Sequence, residues 1–451
     1  MTAFVKKALL LVAFVAACGP GDRGDDGNGS GSGSGSNGCA DCVTVTGKVY
    51  APKWAPGQVP AGQEIPVFGA TIYVTDAKPA PIPQQTYCES CADTPQGSVA
   101  SKHDGSFELQ VTGPGHYWLI IEKGSFRLEQ ELDLTFGTTT LPPTATTLPD
   151  RQDPAHGAWI PKVAVVRGNY DAVEDILGKI GFGTMSGNKM TNPDGEITFY
   201  EWGGTGNTSA DYLISNISEL RKYHIVFFPC STLVNDTATA DQAKLKNIRQ
   251  FVADGGKLYV TDWSGEVGDR AFPPQIKLGS DGFGTPDTVG TYNPQTLDGT
   301  ITTPGDADGS LYNSNDGKAI DPDLNMWLGL QTGPTEENPV PTLYNANSFP
   351  VNDNWNWIDK LNSVMKGVDE NNMPVYDDPK AWVTASDESG HGPKPVAVTY
   401  EPAGCGKVLY STFQTAGASA STSHAGLTPQ ERVLLFLIME ISDCTQNPVI
   451  L

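Results

Sequence analysis

Three short apolar runs in the second half of the chain constrain its fold more strongly than any other feature. The runs are Lys162–Val166, His224–Phe228 and Lys257–Thr261. They lack the alternation of a half-exposed strand, and such runs are typical of parallel strands buried on both faces. Segments with helical apolar spacing lie between them, at residues 171–179, 209–221 and 239–254. Strands that alternate with helices in this way predict a doubly wound α/β sheet.

The residues around these runs resemble a known superfamily. The segments KVAVVRGNYD, YHIVFFPCS and LKNIRQFVADGGKLYVTDWSGEV are similar to the class I glutamine amidotransferase-like (flavodoxin-like) superfamily. The resemblance implies a flavodoxin-like α/β domain over residues 158–451, with an insertion at about 267–393. Enzymes of the superfamily carry a nucleophilic Cys in a G-x-C-x-G turn after the strand that here ends at Thr261. That Cys is absent, so the family chemistry does not transfer and we expect no catalytic residues.

The loop after the third apolar run is the candidate ligand site. Ligands of open α/β sheets bind at the carboxyl ends of the strands. The candidate residues are Asp262, Trp263, Ser264, Glu266 and, from a later loop, His424. Turn-forming and helix-capping roles are the alternative for Asp262 and Ser264. A cluster of His424 with Ser264 or Cys230 would instead favour a hydrolase, because acyl transfer needs a nucleophile beside a base.

The insertion is rich in Gly, Asn, Asp, Pro and Thr, and we expect loops to dominate it. Residues 306–309, Asp-Ala-Asp-Gly, begin like a calcium loop but lack the spacing and the closing Glu of an EF-hand, so no metal is predicted. Trp355 and Trp357 are two positions apart, a spacing that on a strand points both rings to one side. They could stack on a sugar or pack in the core of the insertion, and both interpretations stay open.

The end of the chain carries a well-marked helix start. Thr428, Pro429 and Glu431 occupy the N-cap, N1 and N3 positions of a capping box. Residues 433–441 are apolar on nearly all sides, which is typical of a helix that other elements cover.

Residues 39–148 have the pattern of a β-sandwich, with short alternating strands and Gly- or Asp-containing turns. The segments VTGKVY, IPVFGATIYV, SKHDGSFELQV and GHYWLIIEKGSF resemble the carboxypeptidase regulatory-like (transthyretin-like) domain. The resemblance implies an accessory or adhesive module without catalytic residues of its own. A linker over 149–157 is expected to join it to the second domain.

The N-terminus has the features of a bacterial lipoprotein signal. Lys6 and Lys7 precede a short apolar segment that ends in Val-Ala-Ala-Cys at Cys18. This resembles the lipobox, which implies removal of residues 1–17, lipidation of Cys18 and a membrane anchor. Residues 18–38 are a Gly- and Ser-rich flexible linker. Gly19 follows the Cys where an Asp would signal inner-membrane retention, so we expect attachment to the outer membrane, on its periplasmic face or at the cell surface.

The remaining seven cysteines are odd in number, and an exported location favours disulfides. The six expected in disulfides are Cys39, Cys42, Cys88, Cys91, Cys405 and Cys444. We predict one cluster of the first four and a bridge between Cys405 and Cys444. Two C-x-x-C pairs could also hold zinc. A redox site is less expected, because a strand pattern rather than a helix follows the first pair.

The composition narrows the function without specifying it. The formal net charge of −23 at pH 7 argues against nucleic acid as a partner, because both would be polyanions. The quoted segments together with LTPQERVLLFLIMEISDC resemble uncharacterised lipoproteins of predatory, myxobacteria-like Gram-negative species. We expect a cell-envelope lipoprotein that binds a glycan or protein ligand without a cofactor. A surface hydrolase acting through Ser264 and a structural spacer of an envelope complex are the alternatives.

Overall fold

The computed structural model describes most of the chain after the N-terminal segment. The described ranges are 42–88, 95–187, 189–192, 195–231, 241–278, 290–300, 314–335, 340–356, 358–369, 371–386, 392–415 and 426–441. Residues 39–451 form one compact unit. Cys18, the signal segment and the linker, on which the anchoring prediction depends, lie outside the described residues.

The first region is built from two antiparallel-rich sheets. Its strands are β1 (Cys42–Lys48), β2 (Thr71–Thr75), β3 (Val99–Ala100), β4 (Ser106–Thr112), β5 (Gly115–Lys123), β6 (Phe126–Leu134), β7 (Thr138–Thr140) and β8 (Ala158–Trp159). One sheet has the order β4-β1-β7 and the other β3-β2-β5-β6-β8. Apolar side chains of both sheets, such as Val45 and Ile121, are fully buried in one core. The predicted β-sandwich is confirmed in this sense.

The second region contains a large mixed sheet and several two-stranded pairs. Its strands are β9 (Val163–Arg167), β10 (Thr184–Ser186), β11 (Lys189–Asn192), β12 (Ile197–Glu201), β13 (Ile225–Phe228), β14 (Lys257–Thr261), β15 (Ile276–Leu278), β16 (Thr291–Tyr292), β17 (Gly299–Thr300), β18 (Ser314–Ala319), β19 (Thr332–Gly333), β20 (Thr342–Leu343), β21 (Phe349–Val351), β22 (Ile358–Leu361), β23 (Val364–Val368), β24 (Pro374–Asp377), β25 (Lys380–Ala385), β26 (Lys394–Tyr400) and β27 (Lys407–Ser411).

The large sheet has the order β12-β9-β13-β14-β27-β26-β25-β18-β21 among the described residues. The five strands from β12 to β27 are parallel to one another, and the four that follow are antiparallel. Successive residues of a parallel strand enter opposite cores: Val163 and Val165 face one, while Ala164 and Val166 face the other. Since both faces are buried, the apolar runs that predicted these strands show no alternation.

Helices cover both faces of this sheet. They are α1 (Val173–Lys179), α2 (Ala210–Ser215), α3 (Ile217–Leu220), α4 (Gln242–Ala253), α5 (Gly265–Ala271), α6 (Pro322–Gly329) and α7 (Pro429–Ile441). Helices α1, α6 and α7 pack into the core that the sandwich shares, and α2, α4 and α5 pack on the opposite face. Within the described parts of the chain, every helix is too short or too polar to cross a bilayer.

The helix starts show where local sequence signals were reliable. The capping box of α7 is confirmed, because Thr428 N donates to Glu431 Oε2 over 2.6 Å and Glu431 N donates to Thr428 Oγ1 over 3.3 Å. Helix α4 is capped by Asp241, whose carboxylate accepts from the first-turn amide of Ala243. The single helix predicted over 209–221 is interrupted at Asn216, whose side chain caps α3.

The region between α5 and β26 differs from the loop-rich insertion that the composition predicted. Three of its strands, β18, β21 and β25, extend the large sheet, and hairpins such as β23–β24 form small sheets of their own. The strands between α5 and β26 have two to six residues, and Gly, Asn and Asp lie within or between them. The alternating pattern that predicts a strand is therefore weak in this region. The segment containing residues 306–309 lies outside the described residues, as does Trp357.

The sandwich and the large sheet are packed directly together. Strand β8 pairs with β6 of the sandwich, and only three residues separate it from β9. Trp54 Nε1 donates to the carbonyl of Lys179 over 3.1 Å, and Trp327 Nε1 donates to the carbonyl of Pro66 over 2.8 Å. The segment 149–157, expected to be a linker, therefore joins two regions that share one hydrophobic core.

A segment of the sandwich that we call the strap, residues 82–88, lies along the amino ends of the parallel strands. His224 Nε2 donates to the carbonyl of Pro83 over 2.7 Å, and Thr86 Oγ1 donates to the carbonyl of Tyr223 over 2.7 Å. The strap approaches so closely that a Cβ at Gly255 would lie 2.1 Å from the carbonyl oxygen of Tyr87. Only glycine fits at that position, where φ is also +103°.

Candidate functional site

The carboxyl ends of the parallel strands bring together a set of buried polar residues, which we call the carboxyl edge. They come from the segments after β9, β13, β14 and β27. The buried members are Asp171, Cys230, Asp262, Ser264, Gln414 and Thr415. The predicted candidates Asp262 and Ser264 are among them, as the position of ligand sites in open α/β sheets leads one to expect.

Asp262 is the central residue of the carboxyl edge. It is fully buried and has a φ of +48°, the left-handed region, at the junction between β14 and α5. Its Oδ1 accepts from the Trp355 amide over 3.2 Å. Its Oδ2 accepts from Gln414 Nε2 over 3.2 Å and from Cys230 Sγ over 3.3 Å. This carboxyl group therefore joins four separate chain segments at one point.

Burial raises the pKa of Asp262 well above its ordinary value, and the nearby Asp171 acts in the same direction. The hydrogen bonds from Gln414, Cys230 and Trp355 oppose this shift without cancelling it. Burial thus makes ionisation of this carboxyl group less favourable than in water.

Asp171 is the second residue of the carboxyl edge that accepts several hydrogen bonds. Its Oδ2 accepts from Thr261 Oγ1 over 2.6 Å and from Thr415 Oγ1 over 3.1 Å. Its Oδ1 accepts from the Thr415 amide over 3.0 Å. Thr261 Oγ1 in turn accepts from the amide of Cys230 over 2.9 Å, so the network crosses from β9 to β27. Buried networks of this kind fix the relative positions of the loops that they join.

The two nucleophile candidates are held in unreactive environments. Ser264 Oγ is buried and donates to the carbonyl of Pro229 over 2.6 Å. Burial raises the pKa of the Cys230 thiol, and the neighbouring Asp262 raises it further. A reactive cysteine needs the opposite shift, because the thiolate is the nucleophile. The geometry around these two residues is that of structural groups.

The other two predicted site residues have different outcomes. Glu266 is buried on α5 and accepts from Arg270 Nε over 2.7 Å, one turn later in the same helix. It therefore takes part in an intrahelical ion pair. His424 lies outside the described residues, so its distance from Ser264 and Cys230 stays a matter of prediction.

Three aromatic side chains lie next to this buried layer, and we call them the aromatic cluster. The centroid of the Trp263 ring lies 5.9 Å from that of Tyr170 and 5.9 Å from that of Trp355. Tyr170 is 41% exposed, and both tryptophans are half-buried. The sequence pointed to Trp263 and Trp355 separately but missed Tyr170. Its position in the loop that follows β9 was the signal that could have found it.

The cysteines pair differently from the prediction. Cys405 is bonded to Cys88, with a Cα–Cα distance of 5.6 Å, and not to Cys444. Cys88 therefore connects the strap to the turn before β27, and not to the first strand of the sandwich as predicted. While that bond exists, Cys88 cannot ligate zinc. Cys42 is also disulfide-bonded, whereas Cys39, Cys91 and Cys444 lie outside the described residues.

The physical reason for the corrected pairing is the course of the strap. Hydrogen bonds of Thr86 and Pro83 bring it to the amino ends of β13 and β14, where the turn containing Cys405 also lies. The two cysteines are 317 positions apart in the chain, so no local pattern indicates their contact.

No protein-family model matches the sequence, and no curated protein is significantly similar to it. Among solved structures, a cytoplasmic protein of Salmonella typhimurium, STM3548, aligns with 61% of this chain and 98% of its own at 11% identity and a TM-score of 0.28. A cold-adapted β-galactosidase of Rahnella sp. R3 aligns with 64% of this chain and 32% of its own at 13% identity and a TM-score of 0.26. Similarities at this level carry no argument about function.

Proposed function

We propose that the protein is a cell-envelope lipoprotein with a non-catalytic binding role, and that the aromatic cluster at the carboxyl edge is its ligand site. The observation that carries this proposal is the position of three partly exposed aromatic rings, Tyr170, Trp263 and Trp355, on a rigid buried network. Aromatic side chains offer a large contact area at a low cost in conformational entropy, and for this reason they are enriched in binding sites.

The proposal includes the finer fold assignment. The five parallel strands with helices on both faces support a flavodoxin-like half-sheet, to which β26, β25, β18 and β21 add an antiparallel extension. The two sheets of residues 42–159 support an accessory sandwich of the carboxypeptidase regulatory-like kind. Lipidation at Cys18, followed by the Gly- and Ser-rich linker, would hold both at the outer membrane.

The hydrogen bonds of the carboxyl edge favour binding over hydrolysis. A hydrolase of the kind considered needs Ser264 or Cys230 as an activated nucleophile. The Ser264 hydroxyl donates to a backbone carbonyl, and the Cys230 thiol is buried against the Asp262 carboxyl group. The Ser264 hydroxyl thus faces a carbonyl and not a base, and burial raises the pKa of the Cys230 thiol. These contacts argue against chemical conversion by Ser264 or Cys230. The partly exposed aromatic rings are the feature that favours binding over a pure spacer role.

The binding proposal is tested with the purified full chain on glycan and peptide arrays. We expect a bound ligand class whose signal is lost in the double variant Trp263→Ala, Trp355→Ala. Trp118→Ala is the matched control, because Trp118 is a half-buried tryptophan on β5 of the sandwich. Equal binding by both variants would refute the proposed site. Turnover of an array ligand that is abolished in Ser264→Ala would favour the hydrolase.

The anchoring proposal has its own test. Cys18→Ser should move the protein from the membrane fraction to the soluble fraction of the producing cell. Mass spectrometry of the wild-type chain should find a lipidated Cys18 at its N-terminus. A mature protein that retains residues 1–17 would overturn this part of the proposal.

A further inference from the structure

Helix α6 is apolar on the side that faces solvent as well as on the side that faces the core. The buried residues of its inner side are Leu324, Trp327 and Leu328. On its outer side, Pro322, Met326 and the C-cap residue Leu330 follow one another at intervals of four residues, and all three are exposed. A surface helix normally carries polar residues on its outer side, and a helix that is apolar all round is normally covered.

Exposed apolar side chains are concentrated around this helix. Among the described residues, eleven large apolar side chains are exposed, and five of them lie between positions 320 and 343. These five are Ile320, Met326, Leu330, Val340 and Leu343. Leu343 lies opposite Thr332 in the β19–β20 pair, which places it diagonally from Leu330. Apolar residues that are clustered in this way mark interaction surfaces, and we call this surface the α6 patch.

An open groove of about 520 Å³ lies along one side of the α6 patch. Its apolar lining includes Ile320 and Met326. Its polar lining is ordered, because Asn325 Nδ2 donates to the carbonyl of Ala319 over 2.8 Å and to Asn347 Oδ1 over 3.2 Å. The volume is within the range of ligand sites, but small ligands are usually enclosed on most sides. An open groove instead suits a protein segment, which leaves its other side in solvent.

The unpaired charge at the groove is positive. Lys318 lines the groove, is exposed, and has no ion-pair partner among the described residues. The two carboxylates nearest to it in sequence are already bonded. Asp316 accepts from the Ser386 amide over 2.8 Å, and Asp321 pairs with Lys380 over 2.7 Å. A carboxylate of an incoming segment is therefore the complementary group at Lys318.

We infer that the α6 patch and its groove bind an apolar segment of a partner protein that places a carboxylate at Lys318. The site shares no residue with the aromatic cluster, so this inference goes beyond the proposed function and does not depend on it. Apolar side chains of the segment would cover Met326 and Leu330, as when an amphipathic helix binds in a groove. A membrane surface is a poorer fit, because the net charge of −23 repels anionic headgroups.

The test uses two helical peptides that differ at one position. Both present Leu side chains at positions i, i+3, i+4 and i+7, and beside this face one carries Glu and the other carries Lys. Binding of each labelled peptide to the full chain is followed by fluorescence anisotropy. We expect the Glu peptide to bind about threefold more tightly than the Lys peptide, as for one exposed ion pair, and Lys318→Glu to reverse this order.

The apolar part of the site is tested with a matched pair of methionines. Met326→Ser should weaken binding of both peptides about tenfold, because a partly exposed methionine loses its burial under the peptide. Met373→Ser is the control, because Met373 is 61% exposed and lies just before β24, outside the α6 patch. It should leave both affinities unchanged.

Several results would overturn the inference. They are absence of peptide binding, equal binding of the two peptides, and binding that Met326→Ser does not weaken. A dimer in sedimentation equilibrium that Met326→Ser dissociates would assign the patch to a second copy of the chain. Met326-dependent sedimentation with vesicles of phosphatidylethanolamine and phosphatidylglycerol would assign it to a membrane. Array binding that depends on Trp263 is measured separately, so the proposed function stands or fails on its own.

Discussion

The two ends of the parallel strands are built in different ways. At the amino ends, the strap is held by a disulfide, by His224 and by the hydrogen bonds that the amide and the hydroxyl of Thr86 donate. At the carboxyl ends, a buried polar network around Asp262 supports aromatic rings that remain partly exposed. One end is closed by covalent and packed contacts, while the other presents side chains to solvent. We expect stability to depend more on the amino ends, and we propose that recognition depends on the carboxyl ends.

The largest loss of stability is expected from removal of the disulfide at the amino ends of the strands. Replacing both Cys88 and Cys405 by Ala should lower the free energy of unfolding by up to about 5 kcal/mol, because the bridge closes a very long loop of the unfolded chain. Urea unfolding of the variant and of the wild type measures the difference. Cys230→Ala, which removes a buried thiol that is not in a disulfide, is the control. A loss below about 1 kcal/mol would show that the strap is held by its hydrogen bonds alone.

Acidic pH should destabilise the fold through His224, which holds the strap at the amino ends of the parallel strands. Its Nδ1 accepts from the Lys162 amide and its Nε2 donates to Pro83, so the folded imidazole is neutral. Burial lowers its pKa from 6.5 to about 4. The unfolded chain takes up this proton below pH 6.5, so the contribution is complete above that pH and is lost as the pH falls to 4. The expected loss is about 3 kcal/mol.

The contribution of His224 is isolated by measuring the free energy of unfolding of the wild type and of His224→Gln between pH 4 and pH 7.5. Glu174 and Asp377 act in the opposite sense, because burial raises the pKa of each to about 7 and their contribution is lost as the pH rises. Both groups are present in the variant as well, so they cancel in the difference. Parallel pH profiles of unfolding for wild type and variant would contradict the prediction.

At the carboxyl ends, Asp262→Ala should cost about 2 kcal/mol. It leaves the donors of Gln414 and Trp355 without their acceptor, and Ala tolerates the left-handed backbone less well than Asp. Asp262→Asn keeps an acceptor oxygen and a residue suited to that backbone, so its cost should stay within about 1 kcal/mol. Thermal unfolding checks both. An equally large loss in the two variants would mean that an ionised carboxylate is required.

The smallest effect on stability is expected from Tyr170→Ala. The side chain is 41% exposed and its truncation should change the free energy of unfolding by less than about 1 kcal/mol. Ligand binding at the aromatic cluster should nevertheless weaken measurably in calorimetry. Tyr376→Ala on β24, also an exposed tyrosine, serves as the control. Unchanged binding in Tyr170→Ala would confine recognition to the two tryptophans.

The sequence predicted those elements whose signal is local. The runs beginning at Lys162, His224 and Lys257 became β9, β13 and β14, because burial of both strand faces leaves a continuous apolar pattern. The capping box at Thr428 was equally predictable, since its two partners are three residues apart. Three strands of the antiparallel extension, β18, β21 and β25, were missed, because they lie in a segment whose Gly-, Asn- and Asp-rich composition favours loops.

The carboxyl edge was only half predictable. A general rule for α/β sheets pointed to the loop at Asp262. It could not show that Tyr170, Trp263 and Trp355 meet, because they come from three distant segments. The pairing of Cys88 with Cys405 was missed for the same reason, since a contact across 317 positions depends on the whole fold.

Helix α7 has a consequence for the order in which the molecule can form. Almost every residue of Pro429–Ile441 is buried, and the helix touches both the sandwich, where Arg432 donates to the carbonyl of Gln63, and the large sheet. A growing chain folds its early segments first during synthesis. Here the shared core stays open until residues 429–441 are available to fill it. Chains that lack this helix, or in which it has not yet docked, should therefore remain sensitive to proteases.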